Sequence, residues 1–589
     1  MVKLKNRSEI VKNIQWVGLL FTVLFLVIGF RGYSLQILSA DKLSKIIKNQ
    51  SERRIALSPK RGTIYDRNGS ELSVSIEVES LFARPYRIKN KGLTAIRLSR
   101  ILGVSHKTIQ KQLHKKSRFV WIKRQIPPAA AAKIKALDIN GLGFVEESQR
   151  FYPNKELAAQ MIGFVGRDSR GLEGLEFEYQ NVLKGKSRYL EVNRDALGRQ
   201  IFIEATEPSK NIQGNDITLT IDKNIQYIAE KELQAAISVS DAKSGMAIVM
   251  APGTGKVLAM AVAPLFNPNR FSNYPSETWR NRAITDLFEP GSTFKTFLMA
   301  SALEEDIVSP KDIFFCENGK YRVADRVIHD THPHGWLNVT RILKYSSNIG
   351  ASKIVRHLGS DLFYKHIKNF GFGEETGIEF PSEAEGYIPP PYRCPEHTKS
   401  AMAFGQGIST TALQLATAYC AIANGGRYMK PFFVEKITGP DGMIIQQTAP
   451  RVLRQVISAA TARQIRKMLE SVVTKGGTGE KAQTTAYTVA GKTGTSQKID
   501  PEQKIYSRKK LIASFAGFAP AKSPVITVLV IIDEPQKMKS GGAIAAPAFS
   551  RITQQTLNYL QVPPDKALAD NRKIWQEARN PDIKDKHQG

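Results

Sequence analysis

Glu289-Pro290-Gly291-Ser292-Thr293-Phe294-Lys295-Thr296-Phe297-Leu298-Met299 sets a turn-forming pair before a hydroxyl, a lysine three residues later and an apolar run. Phe294, Phe297, Leu298 and Met299 suit a buried helix. Pro290-Gly291 marks a turn directly before it, so Ser292 belongs in the first helical turn, beside backbone N–H groups without intrahelical partners. Lys295 then shares a helical face with the Ser292 hydroxyl. A nucleophile and its base require that spacing.

Spacing alone decides little, because Ser-x-x-Lys recurs at Ser39/Lys42, Ser240/Lys243 and Ser507/Lys510, and Ser-x-Asn at Ser209/Asn211. Context separates the copies. Two more short stretches follow Ser292 in order, Ser346-Ser347-Asn348 and Lys492-Thr493-Gly494-Thr495. A serine hydroxyl is a poor nucleophile at neutral pH and needs a base in hydrogen-bond reach. The nine histidines form no triad pattern, which leaves Lys295 as the candidate base. Its amine must then be neutral part of the time, through burial or a nearby cation.

At 589 residues and 42% hydrophobic content the chain is long enough for two or three globular domains and is not a disordered polymer. Cys316, Cys394 and Cys420 are odd in number and widely spaced, giving neither a disulfide framework nor metal-ligand spacing. The formal net charge of +30 suits anionic surroundings and says little about fold. Asn13 to Phe30 carries no charge and, at 1.5 Å per residue, spans about 27 Å as a helix, close to a bilayer's hydrocarbon thickness. No small-x-small pair marks a cleavage site after it, so an uncleaved anchor is preferred to a signal peptide. Lys3, Lys5, Arg7 and Lys12 precede it and Arg31, Lys42, Lys45 and Lys48 follow it, so charge leaves the orientation tied.

After the anchor, Arg61 to Ile76 reads as strand, Asn68-Gly69 turn, strand. A helix is expected near Leu93 to Leu102, a strand at Phe119 to Ile122, and a helix opened by Pro127-Pro128 and closed by Gly141. Leu98 to Ile109 resembles a DNA-reading helix-turn-helix, but any two packed short helices share that pattern, and the reading without nucleic acid is preferred. Ala251-Pro252-Gly253-Thr254-Gly255-Lys256-Val257 fails as a phosphate loop, because Met250 and Val257 stand where glycine and a hydroxyl are needed. Met246 to Met250 and Val257 to Val262 instead suggest a hairpin. From about Asp216 helix and strand alternate, ending in the apolar Val525 to Ile532; a polar tail follows Pro563.

With these motifs in order, the chain resembles the class B penicillin-binding proteins, most closely the division-specific, FtsI-type peptidoglycan D,D-transpeptidases. The likeness covers nearly the whole chain. It rests on Arg61 to Gly69, Arg150-Phe151-Tyr152-Pro153, Ile162 to Gly166, Gly171 to Glu176, Asn281 to Asp286, Gly541-Gly542-Ala543 and Ala546-Pro547, as well as the three site motifs.

The resemblance implies an α+β chain: a serine β-lactamase-like transpeptidase domain, its antiparallel sheet flanked by helices, on an elongated pedestal with one membrane helix. The expected divisions are a cytoplasmic tail (1–12), transmembrane helix (13–31), pedestal (32–215), transpeptidase domain (216–563) and C-terminal tail (564–589). It places the catalytic domain outside the bacterial cytoplasmic (inner) membrane, at the division septum.

The implied reaction cross-links stem peptides of septal wall. Ser292 attacks the bond between the two terminal D-alanines, Ser346 relays the proton, and Asn348 orients the substrate backbone. Lys492 holds the polar network and could supply the like charge that lowers the Lys295 pKa. Thr493 and Thr495 bind the terminal carboxylate, Gly494 leaves room for substrate along the strand edge, and the backbone N–H groups of Ser292 and Thr495 form the oxyanion hole. An amine from a neighbouring stem accepts the acyl group, β-lactams acylate Ser292, and no cofactor or metal is needed. Implied partners are an FtsW-type glycosyltransferase and other division proteins, with no nucleic acid. An elongation-specific transpeptidase and a non-catalytic scaffold or β-lactam sensor are the alternatives.

Overall fold

The computed structural model describes residues 5–38, 52–57, 60–117, 119–185, 188–194, 200–202, 213–499 and 505–566. Most of the C-terminal tail, and the Ser39/Lys42 and Ser209/Asn211 copies, lie outside the described residues.

Two compact units divide the chain, Met1–Pro59 with Lys186–Ile212, and Lys60–Gly185 with Gln213–Gly589. The first holds the helix Lys5–Tyr33 and an antiparallel sheet of Glu52–Leu57, Arg188–Arg194 and Gln200–Phe202. This helix is long and apolar enough to cross a membrane, and its apolar side chains are exposed. It begins before the apolar run, since residues such as Lys5, Arg7, Glu9 and Lys12 are good helix formers.

In the second unit, a five-stranded antiparallel sheet runs Lys256–Ala263, Ser244–Ala251, Ile526–Asp533, Tyr506–Ala519, Ala490–Ile499. Successive side chains on a strand point to opposite faces. Met246, Ile248, Met250, Leu529 and Ile531 therefore join one core with helices Lys295–Glu304, Ala412–Ala423 and Ala459–Val473. Ala247, Val249, Val528, Val530 and Ile532 enter a second core with Lys223–Ser240 and Ala546–Tyr559. Covered on both faces, Ile526–Asp533 is buried throughout, which is why it reads as an unbroken apolar run. The Gly-Lys segment is the turn of the expected hairpin, between Ser244–Ala251 and Lys256–Ala263.

A second sheet joins the two halves of this unit. The Asn68-Gly69 hairpin forms as Ile64–Tyr65 and Glu71–Ala83. Ile64–Tyr65 also pairs in parallel with Asp216–Leu219, which pairs antiparallel with Val434–Thr438. The expected boundary at 215/216 thus coincides with the start of a strand in a shared sheet. Helices Lys91–Leu102 and His106–Leu113, the helix-turn-helix lookalike, bury Leu98, Leu102, Ile109 and Leu113 with Leu81 and Ile122. The neighbouring strand runs Val120–Ile126, past the expected Ile122. The helix opened at Pro128 ends at Lys135 instead of Gly141, because Asp138 takes a left-handed φ of 45° and turns the chain early.

Candidate active site

Gly291–Phe294 forms a tight 3-10 turn that runs into the helix Lys295–Glu304, so Ser292 stands at the helix entrance. The helix is buried from Lys295 to Leu303. Phe294 and Phe297 pack edge-on against Phe372, each with centroids 4.9 Å away, and Phe297 meets Tyr419 at 5.3 Å. The Tyr419 hydroxyl donates to the Thr293 carbonyl at 2.9 Å and sits 2.8 Å from the Thr296 hydroxyl. An aromatic wedge from the core thereby fixes the turn that presents Ser292. Gly291 has φ 57°, and a Cβ there would meet the Thr495 carbonyl at 3.0 Å, so the turn lies directly against the strand Ala490–Ile499.

Three distant chain segments converge on the Lys295 amine. Its Nζ lies 3.1 Å from Ser292 Oγ and 3.1 Å from Ser346 Oγ, and donates to the Ser346 carbonyl at 2.6 Å and to Asn348 Oδ1 at 2.7 Å. A neutral amine has two N–H groups and one lone pair. The two carbonyl-type oxygens take the hydrogens, which leaves the lone pair for a hydroxyl proton. Ser346 caps the helix Val339–Tyr345 with φ 61°, a left-handed conformation unusual for serine. Asn348 begins the helix Asn348–Leu358, and its side-chain amide donates to the His329 carbonyl at 2.9 Å. That contact turns Oδ1 toward the lysine.

Lys492 Nζ donates to Ser346 Oγ at 3.0 Å and to the Thr493 carbonyl at 3.1 Å, so Ser346 bridges the two lysines. Both are fully buried. Burial pulls the Lys295 pKa down to about 7, with the Asp330 charge acting in the opposite direction. Burial, and then the Lys295 charge, push Lys492 well below the usual lysine range. The sequence pointed to Lys492 as the cation that lowers Lys295. Burial is the leading cause at both lysines, and the repulsion between the two ammoniums, being mutual, acts on the pair.

Alternation along Ala490–Ile499 sorts the third motif. Thr493 Oγ1 donates to Thr478 Oγ1 at 3.0 Å, and Thr495 Oγ1 accepts from Gly541 N at 3.1 Å. Gly494 faces the other way. A Cβ there would come within 2.3 Å of Ser514 Oγ, 2.9 Å of Thr293 Cγ2 and 3.0 Å of the Pro290 carbonyl. The space it preserves lies under the nucleophile turn, not along the substrate edge as the sequence reading had it, because side chains leave a strand perpendicular to its edge. A cleft of about 430 Å³ opens over this assembly, lined among others by Ser292, Ser346, Asn348, Thr478, Thr493 and Thr495.

All eight residues named from the sequence therefore lie around one cleft or directly beneath it. Sequence reading did not single out Thr478, Phe404 and Gln406 on the lining, nor Asp330 beside Ser347 and Asn348. None sits in a patterned motif. Among the described residues no cluster of His, Cys, Asp and Glu is arranged to hold a metal ion.

Residues 245–554 match the penicillin binding protein transpeptidase domain and residues 56–219 the penicillin-binding protein dimerisation domain. The chain belongs to the class B penicillin-binding proteins. It is 33% identical over 575 residues to the peptidoglycan D,D-transpeptidase FtsI of Escherichia coli K12, covering 96% of this chain and 95% of the relative. It is also 33% identical over 580 residues to stage V sporulation protein D of Bacillus subtilis, covering 97% and 89%. The crystal structure of penicillin binding protein 3 from Mycobacterium tuberculosis, complexed with aztreonam, superposes with a TM-score of 0.69 at 27% identity, over 87% of this chain and 98% of that one. This penicillin-binding protein thus has the α+β transpeptidase fold, and it is an enzyme of acyl transfer.

Proposed function

We propose that this penicillin-binding protein is a serine D,D-transpeptidase that cross-links peptidoglycan stem peptides through an acyl-enzyme on Ser292. The observation that carries the proposal is a fully buried lysine whose Nζ lies 3.1 Å from Ser292 Oγ, where burial draws its pKa down to about 7. At neutral pH Lys295 takes the Ser292 proton as the oxygen attacks the D-Ala-D-Ala carbonyl. The Ser346 hydroxyl, 3.1 Å from Lys295 Nζ and 3.0 Å from Lys492 Nζ, passes a proton to the departing D-alanine. Asn348 orients the donor backbone, Thr493 and Thr495 take its terminal carboxylate, and the N–H groups of Ser292 and Thr495 hold the developing oxyanion. Removing one such donor costs about 10²- to 10³-fold in rate. An amine of a second stem then releases the acyl group as a cross-link. A β-lactam acylates the same serine and stalls there.

The setting is the cytoplasmic membrane, with the N-terminal helix as a single-pass anchor and the catalytic domain outside. The division septum is the place of action, beside an FtsW-type glycosyltransferase and other division proteins. Near-equal identity to the peptidoglycan D,D-transpeptidase FtsI and to stage V sporulation protein D gives a second reading, wall synthesis during sporulation. Incubation with a fluorescent penicillin should label the protein stably, and Ser292→Ala should abolish labelling; rapid turnover instead of an adduct refutes the transpeptidase reading. A fluorescent fusion concentrated at the septum of growing cells supports the division role, and one confined to sporulating cells refutes it.

A further inference from the structure

We propose that Asp330 is a positioning residue of the acyl-transfer site, holding the Ser346-Ser347-Asn348 turn in the conformation that aims both the relay hydroxyl and the Asn348 amide at Lys295. The proposal rests on the roles given to Ser292, Lys295 and Asn348 above. Asp330 follows the strand Arg326–His329, which pairs with Lys320–Val323, and its own N–H is tied to the Gly319 carbonyl at 3.2 Å. Its carboxylate accepts from Ser347 Oγ at 2.5 Å, Asn348 N at 2.5 Å and Ile349 N at 3.0 Å. Those two backbone groups open the helix Asn348–Leu358 and have no partners within it. A carboxylate at a helix N-terminus satisfies them and complements the helix dipole.

The hairpin therefore grips Asn348 twice. Asp330 holds its backbone N–H, and the preceding His329 carbonyl holds its side-chain NH₂ at 2.9 Å, leaving Oδ1 on Lys295 Nζ at 2.7 Å. On the other side of the turn Ser346 carries φ 61°, a conformation that persists only where its surroundings over-determine it. Ser347, bridging Asp330 and Gly350 N through its hydroxyl, supplies that constraint.

Asp330 also acts on Lys295 through its charge. The groups facing the lysine are Lys492 from the strand Ala490–Ile499, Asp330 from the hairpin, the neutral Ser292, Ser346 and Asn348, and the Phe404 ring at 6.0 Å. Cys316 and Lys353 also interact with this region: burial raises the Cys316 thiol, a Ser347 hydrogen bond lowers it, the Asp330 charge raises it and Lys353 lowers it. With its opposite charge, Asp330 favours the Lys295 ammonium and so raises the pH at which the base becomes free.

The test uses the full-length protein, with Asp330→Asn and Asp330→Ala, and measures the acylation rate by a fluorescent penicillin from pH 5.5 to 9 alongside the melting temperature. Asp330→Asn should lower the maximal rate at least tenfold and move the rising limb of the profile to lower pH by half a unit or more. Asp330→Ala should lose more rate with the same displacement. A rate within twofold of the native one overturns the proposal; so does a loss of rate that tracks a loss of melting temperature while the limb stays in place. Ser292→Ala is the parallel control. If it still forms the adduct, the assignment of the nucleophile has failed. If it forms none while Asp330→Asn behaves like the native protein, the Asp330 proposal alone has failed.

Discussion

At Lys295, two donated hydrogen bonds and one free lone pair make a buried amine a usable base. A lysine whose folded pKa is lowered to about 7 is protonated below that value and neutral above it. The acylation rate is accordingly expected to rise with pH through about 7 and level off by pH 8.5, which a stopped-flow pH profile checks. Lys295→Arg keeps a cation of similar reach whose proton is not released. Its rate should fall by roughly 10²- to 10⁴-fold, the usual worth of a positioned general base.

Of the elements, the strand Ala490–Ile499 and the Gly291–Phe294 turn matter most to each other. Gly494 lets them touch, and a Cβ at that position meets backbone at the Pro290 carbonyl, which cannot swing aside as a side-chain tip can. Gly494→Ala should displace the nucleophile turn. A misplacement of about 1 Å costs on the order of 10²-fold in rate. Overpacking of this kind costs about 1–3 kcal/mol in stability. Acylation kinetics and thermal melting of the variant measure both. The Ser292/Lys295 pair was legible because its spacing is local to one turn of helix and its flanking sequence separates it from the other Ser-x-x-Lys copies. The need for Gly494 was assigned to the wrong neighbour, since the face a strand residue takes depends on what packs against the sheet.

Across the whole second unit, two buried acids bind distant segments in opposite ways. Glu176 accepts from Arg61 Nε at 2.9 Å, Arg150 Nε at 2.6 Å and Ser73 Oγ at 2.9 Å, tying residues far apart in the Lys60–Gly185 segment. Burial alone would raise its pKa, but the Arg150 and Arg61 guanidiniums outweigh it and hold the carboxylate below the ordinary range. Its stabilisation is therefore present above the unfolded pKa and lost as pH falls through the folded one. Glu176→Ala leaves two guanidiniums buried without their counter-charge and should cost about 3–5 kcal/mol, read from denaturant unfolding.

Glu230 is the converse case, on the helix Lys223–Ser240, accepting from Ala158 N at 2.8 Å and Gln226 Nε2 at 2.8 Å. Burial raises its pKa from 4.5 to about 7. The folded state then holds the proton longer than the unfolded chain, so this group's stabilisation is lost as pH rises from about 4.5 to 7. Glu230→Gln removes that loss. The stability difference between variant and native protein should grow by about 3 kcal/mol over the window, at 1.36 kcal/mol per pKa unit, when unfolding is followed against pH.

The sequence by itself determined the buried strand to within one residue at each end, Ile526–Asp533 against the expected Val525 to Ile532, together with the apolar helix after Ser292, the hairpins and the order of the three site motifs. Each of these is a local pattern of side-chain period or turn chemistry. Only the tertiary structure decided that Ser346 and Lys492, 146 residues apart, meet at one hydroxyl, that burial is the leading cause of the lowered Lys295 pKa, and that Asp330 braces the turn between them. Sheet register and burial set those relations. Neither is encoded in the spacing of neighbouring residues, because each depends on which distant segment excludes water from the site.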